Sequence, residues 1–473
     1  MTLDYIFHPR SIAVAGASGG PWNAVTQLFL DTLIKFEYKG EIYPINPKYE
    51  EVSGLKAYDN VKDVPGPVDH VICMIPAAAT RQLLEDCVAK GVKTVHLYTS
   101  GFAETGEEDR ARLQDELVSI ARSGGIRILG PNCMGIYYPR SGISFCADFP
   151  KDTGTVGFIT QSGSYSMLVT RGAGARGVRF SKVVSYGNAS DINETDLLEY
   201  LAHDRETEVI AAYIEGTRDG KRLRKVLTEA AAKKPVIIIK KGGTAAGNRG
   251  ALSHTGALAG NDAVWEALLK QTGAIRVEDF EEMIDMLVTF QFFPLPRGRN
   301  VAVVGLGGGA SVRASDECER GGLTLPPAPE ALITEIERII PVAGSMLRNP
   351  FDMGNYRNDW AAALKYIDGW AEPDMFLWQL APEIEPFMEG IYREFCRDAR
   401  GRIMEAFRGL QKPTAVVVHG VEAGYGLETL QTIKAMCAEH KMPFYPSVYR
   451  AARAISRYMD YHSRRGDKKT ETG

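Results

Sequence analysis

Short β-branched runs alternate with amphipathic helical stretches along almost the whole chain, and few folds accept that pattern. Parallel strands need a crossover between them, and a helix is the usual one, so the alternation predicts α/β, doubly wound domains. Three blocks emerge. The first has strands at Ser11–Ala15, Glu41–Ile45, His70–Ile75, Thr94–Tyr98 and Arg127–Leu129, with a helix over Ala79–Lys90. The second has strands at Thr155–Thr160, Lys182–Ser185, Val209–Ile214, Pro235–Lys240 and Ala274–Val277. Pro294-Leu295-Pro296-Arg297-Gly298 reads as a linker. The third has strands at Val301–Gly305, Met375–Leu380 and Thr414–His419. The expected domains are 1–129, 130–293 and 299–473.

The second and third blocks echo each other. Val156 to Ser164 and Val301 to Gly309 each read as strand, small-residue turn and helix start, and the helices stop near Gly177 and Gly322. Ser162-Gly163-Ser164 and Gly307-Gly308-Gly309 therefore open helices. A helix start carries roughly half a positive charge and stabilises an anion by about 0.3–2 kcal/mol. Two such ends facing one phosphate could hold it without Lys or Arg. Many glycine turns of this kind bind nothing, and that alternative stays open.

Other classes are excluded. Of the 473 residues, 55 are Lys or Arg and 59 Asp or Glu, a net charge of −4, without the basic excess of a nucleic-acid binder. No apolar run reaches the ~20 residues of a membrane span, and Met1 to Tyr5 does not open a signal peptide. The seven cysteines, Cys73, Cys87, Cys133, Cys146, Cys318, Cys396 and Cys437, form no CxxC pair. No metal site or disulfide framework is expected, and the compartment is expected to be the cytoplasm. A P-loop and HExxH are both missing.

The first strand runs into Gly16-Ala17-Ser18-Gly19-Gly20, a turn that lets backbone approach a phosphate but does not match G-x-G-x-x-G. The next strand ends at Asn46-Pro47-Lys48, where an NAD site would carry an acid. A cation there suits NADP or coenzyme A, or is simply a surface lysine. A long glycine-rich loop follows the strand ending at Lys240 and carries one imidazole, His254. Imidazole is a good nucleophile at neutral pH when an acceptor orients its second nitrogen. Glu215, ending another strand of the same sheet, is the candidate acceptor. The plain alternative is a glycine linker with an incidental histidine.

Four stretches in this order resemble the α subunits of ADP-forming acyl-CoA synthetases, in the superfamily of succinyl-CoA synthetase. They are Asn46 to Gly54, Gly130-Pro131-Asn132-Cys133-Met134-Gly135, Thr160 to Ser164, and Ser253 to Gly260. The resemblance covers essentially the whole chain. It implies a Rossmann-like CoA-binding domain followed by two flavodoxin-like ligase domains. It also implies that His254 is the phosphohistidine and Glu215 its orienting carboxylate. Ser162, Gly163 and Ser164, with Gly307, Gly308 and Gly309, would hold phosphate. Gly16, Ser18, Lys48 and Pro76 would grip CoA, and Asn132 and Cys133 would lie near the thiol and acyl group. Read locally, Cys133 is a buried structural thiol. Asn349-Pro350-Phe351-Asp352 matches a small motif of the third domain, whereas the third-domain loop Gly305 to Ala310 departs from the family's usual Asn-Ala-Gly-Gly. No ATP-grasp segment is present, so the resemblance implies a separate β subunit holding ATP or ADP with Mg2+, in an α2β2 assembly acting on a carboxylic acid. A non-catalytic CoA-binding regulator and an NADP oxidoreductase are the rival readings.

Overall fold

The computed structural model describes residues 3–18, 24–241, 261–340, 347–380, 391–419 and 424–466. His254 and its loop, 242–260, lie outside them, as do Gly19 and Gly20.

Three sheets carry the fold. The first orders its strands β2-β1-β5-β6-β7. These are β1 (Ser11–Ala15), β2 (Glu41–Ile45), β5 (His70–Cys73), β6 (Thr94–Leu97) and β7 (Arg127–Leu129), all parallel. A separate hairpin pairs β3 (Glu51–Val52) with β4 (Leu55–Lys56). The second sheet runs β13-β12-β11-β9-β10-β8. Its members are β8 (Gly135–Tyr137), β9 (Val156–Thr160), β10 (Phe180–Ser185), β11 (Val209–Ile214), β12 (Val236–Lys240) and β13 (Ile275–Val277), and only β8 is antiparallel. The third runs β15-β14-β16-β17-β18, from β14 (Val301–Gly305), β15 (Phe351–Asp352), β16 (Met375–Leu380), β17 (Thr414–Val418) and β18 (Phe444–Tyr445), all parallel.

β1, β9 and β14 are buried along their whole length, as continuous apolar runs in parallel sheets should be. In each sheet the first parallel strand leads to a neighbour on one side, and the chain then returns to its other side. The order thus reverses beside β1, β9 and β14, and the C-terminal ends there form switch points where α/β folds collect ligands.

The chain packs as two compact units. One comprises Met1–Gly174 with Arg179–Met283 and holds the first two sheets; the other comprises Ala175–Val178 with Ile284–Gly473 and holds the third. Within the first unit, the end of β7 is tied to the segment after β10. Arg127 Nε donates to Asp191 Oδ2 at 2.8 Å, Ile128 N donates to the same oxygen at 2.9 Å, and Ser190 Oγ donates to the Gly130 carbonyl at 2.9 Å. These bonds bring the C-terminal edges of the two sheets together. Among the described residues no helix is long and apolar enough to cross a membrane.

Candidate functional site

β5 stops at Cys73, two residues before the expected end, and the chain turns outward through Met74-Ile75-Pro76. That turn is the wall between two cavities. One, of about 460 Å³, has Gly16, Asn46, Pro47 and Lys48 along one side and Asn60, Gln82 and Asp86 along another. The other, of about 650 Å³, is lined by Tyr98 to Ser100, Asn132 to Met134 and Gln161 to Ser164. Met74, Ile75 and Pro76 line both. A long ligand gripped at Lys48 can therefore pass over Pro76 and present its far end to Cys133 and Ser162.

Each expected residue of this unit takes a definite place. Gly16 adopts φ 93°, and a Cβ on it would press within 3.1–3.3 Å of Met74 and Ile75, so glycine lets the turn close on the wall. Ser18 is buried but lines neither cavity. Lys48 is exposed at the rim, its backbone N–H held by Asn46 Oδ1 at 3.0 Å. On the opposite wall, burial pushes the Asp86 carboxyl up, but hydrogen bonds from Lys62, Asn60 and Gln82 outweigh it and leave the pKa below its ordinary value.

Asn132 sits in the left-handed region at φ 58°, after a cis Gly130–Pro131 bond. Its N–H donates to the Thr99 carbonyl at 3.0 Å, and Asn188 N donates to the Pro131 carbonyl at 3.0 Å. His96 Nε2 meets the Cys133 carbonyl at 3.0 Å, and since a carbonyl only accepts, that nitrogen carries the proton. Burial pushes the Cys133 thiol far up, so it stays protonated and serves as wall rather than nucleophile.

Ser162 opens the helix Gly163–Gly174 at the end of β9. Its Oγ is 3.1 Å from Ser164 Oγ and accepts from Tyr165 N at 3.4 Å. A Cβ on Gly163 would come 2.9 Å from Met134 Cγ, so glycine lets the two turns close on each other. The helix start thus faces the cavity with uncharged donors, the arrangement that receives an oxyanion.

Glu215 is buried just beyond β11, across the switch point from Gln161. Gln161 Oε1 accepts from the backbone N–H of Glu215 and, at 3.1 Å, from that of Gly216. Lys240, at the end of the adjacent β12, is buried beneath Trp265, with its ammonium 5.0 Å from the ring centroid. Burial lowers its pKa to about 8 despite Asp262 and Glu215. Gln161, His96 and Lys240 carry no expected role in the sequence reading.

The third glycine turn lies in the other unit. Gly307 N donates to Asp352 Oδ1 at 3.0 Å, and Asn349 holds β14 by accepting from Val303 N at 3.0 Å and donating to the Val301 carbonyl at 2.8 Å. The Asn349 to Asp352 motif is thus the brace of this turn. Among the described residues no group of three or more His, Cys, Asp or Glu side chains is arranged to hold a metal ion.

Residues 10–139 match the family described as a CoA binding domain, and residues 153–290 that of the succinyl-CoA ligase like flavodoxin domain. Fold and site together define the class: a CoA-binding domain joined to flavodoxin-like ligase domains. The chain is 41% identical over 351 residues to the α subunit of acetate–CoA ligase [ADP-forming] II of Pyrococcus furiosus, covering 74% of this chain and 76% of that one. Acetate–CoA ligase [ADP-forming] of Methanocaldococcus jannaschii is 37% identical over 74% of this chain, which spans 49% of that protein. The solved structure of dinucleotide forming acetyl-coenzyme A synthetase 1 of Ca. Korarchaeum cryptofilum, in complex with phosphate and ADP, superposes with a TM-score of 0.81 at 30% identity, covering 100% of this chain and 99% of that one. The chain belongs to the α subunits of the ADP-forming acetate–CoA ligases, acid–thiol ligases of the EC 6.2.1 type.

Proposed function

We propose that this chain carries the CoA and phosphoryl half of the reversible reaction acyl-CoA + phosphate + ADP ⇌ carboxylic acid + CoA + ATP. The observation that carries the reading is the pair of cavities sharing the Met74–Pro76 wall, one opening at Lys48 and the other ending at the Ser162 helix start. CoA lies along both, its ribose phosphate at Lys48 and its thioester between Cys133 and Ser162. A phosphate oxygen attacks the thioester carbonyl; the carbon–sulfur bond breaks and the thiolate takes a proton, leaving an acyl phosphate. A ring nitrogen of His254 attacks the phosphorus, and the carboxylate departs with the bridging oxygen. Glu215 accepts the imidazole's other N–H and holds it in the reactive tautomer. The Ser162 helix start offsets phosphoryl charge, since such transfers need positioning and neutralisation above all.

The phosphoryl group then passes to ADP on a partner. The Methanocaldococcus jannaschii ligase, about 1.5 times as long as this chain, since 74% of this chain matches 49% of that one, supports a second, ATP-grasp β subunit holding ADP and Mg2+. We assign the assembly as α2β2, the location as cytoplasmic and the acid as a small carboxylic acid.

The test is labelling. The full chain, incubated with 32P-phosphate and a panel of acyl-CoAs, should acquire acid-labile, alkali-stable label, and the His254→Ala chain should acquire none. Equal label in both would overturn the assignment of His254.

A further inference from the structure

The turn that carries Asn132 is pressed against the turn that follows β10. Gly187 adopts φ 52°, and a Cβ on it would collide with the Pro131 carbonyl oxygen, so glycine lets the two backbones meet. Asn188, the next residue, is buried behind the wall of the larger cavity, which Asn132 lines and Asn188 does not. Both turns belong to the first unit.

The hydrogen bonds behind that wall run in one direction, and a carboxylate sets it. Asn188 Nδ2 donates to Glu104 Oε2 at 2.6 Å and to Gln114 Oε1 at 3.0 Å. An ionised carboxylate only accepts, so the nitrogen end of the Asn188 amide must be the one that faces Glu104. Glu104 is ionised. Burial pushes its carboxyl up, but bonds from Asn188 and from the backbone N–H groups of Gly101 and Phe102 outweigh it and leave the pKa below its ordinary value. Both hydrogens of Asn188 Nδ2 are thus spent, and its Oδ1 is left as an acceptor facing Asn132. Asn132 Nδ2 stands 3.5 Å from that oxygen as the donor. The Asn132 amide therefore turns its nitrogen to the buried side and its Oδ1 to the cavity.

We propose that Glu104 and Asn188 are positioning residues that fix the polarity of Asn132, so that Asn132 Oδ1 accepts the S–H of coenzyme A. The inference rests on the reading that places the thiol end of CoA in this cavity, and adds the relay that orients its receiving group. Free CoA carries the sulfur-bound proton and a thioester does not, so the relay favours the free thiol over a capped sulfur. It also turns a thioester's carbonyl oxygen away from Asn132, since two acceptors repel. Glu104→Gln reverses the relay. The single amide oxygen of the new side chain stays with the two backbone N–H groups, and its NH2 faces Asn188. The amides of Asn188, Gln114 and Asn132 then turn over together, and Asn132 offers the cavity an N–H.

Titration calorimetry of the full chain with CoA and with S-methyl-CoA, at about pH 6.5 where a free thiol keeps its proton, tests it. Wild type should prefer CoA by about threefold, the low end for one hydrogen bond, because a thiol is a weak donor. Glu104→Gln should weaken CoA by about threefold, leave S-methyl-CoA no weaker and so erase the preference. Asn132→Gly, which suits φ 58° and deletes the amide, should also bind both ligands alike, and serves as the second variant should Glu104→Gln fold poorly. Adding Glu104→Gln to Asn132→Gly should change the ratio of the two affinities no further, because Glu104 acts through Asn132. A merely structural role would lower both affinities together. Equal binding of the two ligands by wild type, or a loss in Glu104→Gln that is the same for both, would overturn the relay while CoA binding stands. Binding of neither ligand by wild type would overturn the reading on which it rests, and the relay with it.

Discussion

His96 donates to the Cys133 carbonyl at 3.0 Å, and its ring stacks 6.5 Å from that of His70, whose Nδ1 meets Thr94 Oγ1 at 2.7 Å. Both rings are buried, and burial lowers their pKa values to about 3 for His70 and about 4 for His96. In the unfolded chain both titrate near the ordinary 6.5. Between about 6.5 and 4 the unfolded state therefore binds protons that the native state refuses, and stability rises with pH across that window. Each imidazole contributes up to about 1.4 kcal/mol per pH unit there. The urea midpoint should fall clearly from pH 7 to pH 5, and a His70→Gln, His96→Gln double variant should show a flatter profile. Parallel profiles would remove the pair from the acid sensitivity. These histidines were not legible beforehand, because a single His inside an apolar run reads as core. Gly16, Lys48, Asn132 and Ser162 were legible as parts of motifs and Pro76 only through the family resemblance, and all five line the cavities.

At the scale of elements, the long parallel strands were readable, since each is a β-branched run bounded by turn residues. β8, β15 and β18 were not: two or three residues show no periodicity, and neighbours alone make them strands. What matters chemically is how one strand's end is fastened to another's. Gln161, at the end of β9, accepts from two backbone amides beyond β11 and so fixes where Glu215 sits. Gln161→Leu should leave those amides unpaired, at about 1–3 kcal/mol each, and displace Glu215. Gln161→Glu keeps an acceptor and should restore the backbone. Single-turnover labelling of His254 should be slow in the Leu variant and largely recovered in the Glu variant, with CoA affinity kept in both. Wild-type labelling in Gln161→Leu would show that the fastening does not position the carboxylate.

At the scale of the molecule, the two units have separate cores and separate staples. Ala175–Val178 belongs to the unit of the third sheet although its neighbours on both sides belong to the other. Arg176 anchors that short segment. Its Nη1 meets Asp285 Oδ1 at 2.7 Å, it donates to the Phe444 carbonyl, and its guanidinium lies 5.5 Å from the Tyr445 ring centroid. Arg450 Nε meets the other Asp285 oxygen at 2.6 Å. Asp285 is thus a buried carboxylate shared by two arginines, and removing it strands Arg176 in the core. Breaking such a pair from one side costs about 3–5 kcal/mol. CoA, in contrast, contacts only the first unit in the proposed reading, and at a hundredfold excess over its Kd adds about 2.7 kcal/mol to whatever it binds. Calorimetry of the full chain should then show two transitions, since chains of several compact units depart from two-state unfolding. CoA should raise one of them, and Asp285→Ala should lower the other while leaving the CoA-sensitive one in place. If both perturbations move one shared transition, the units unfold together, and the Asp285 staple serves the whole chain instead of the third sheet alone.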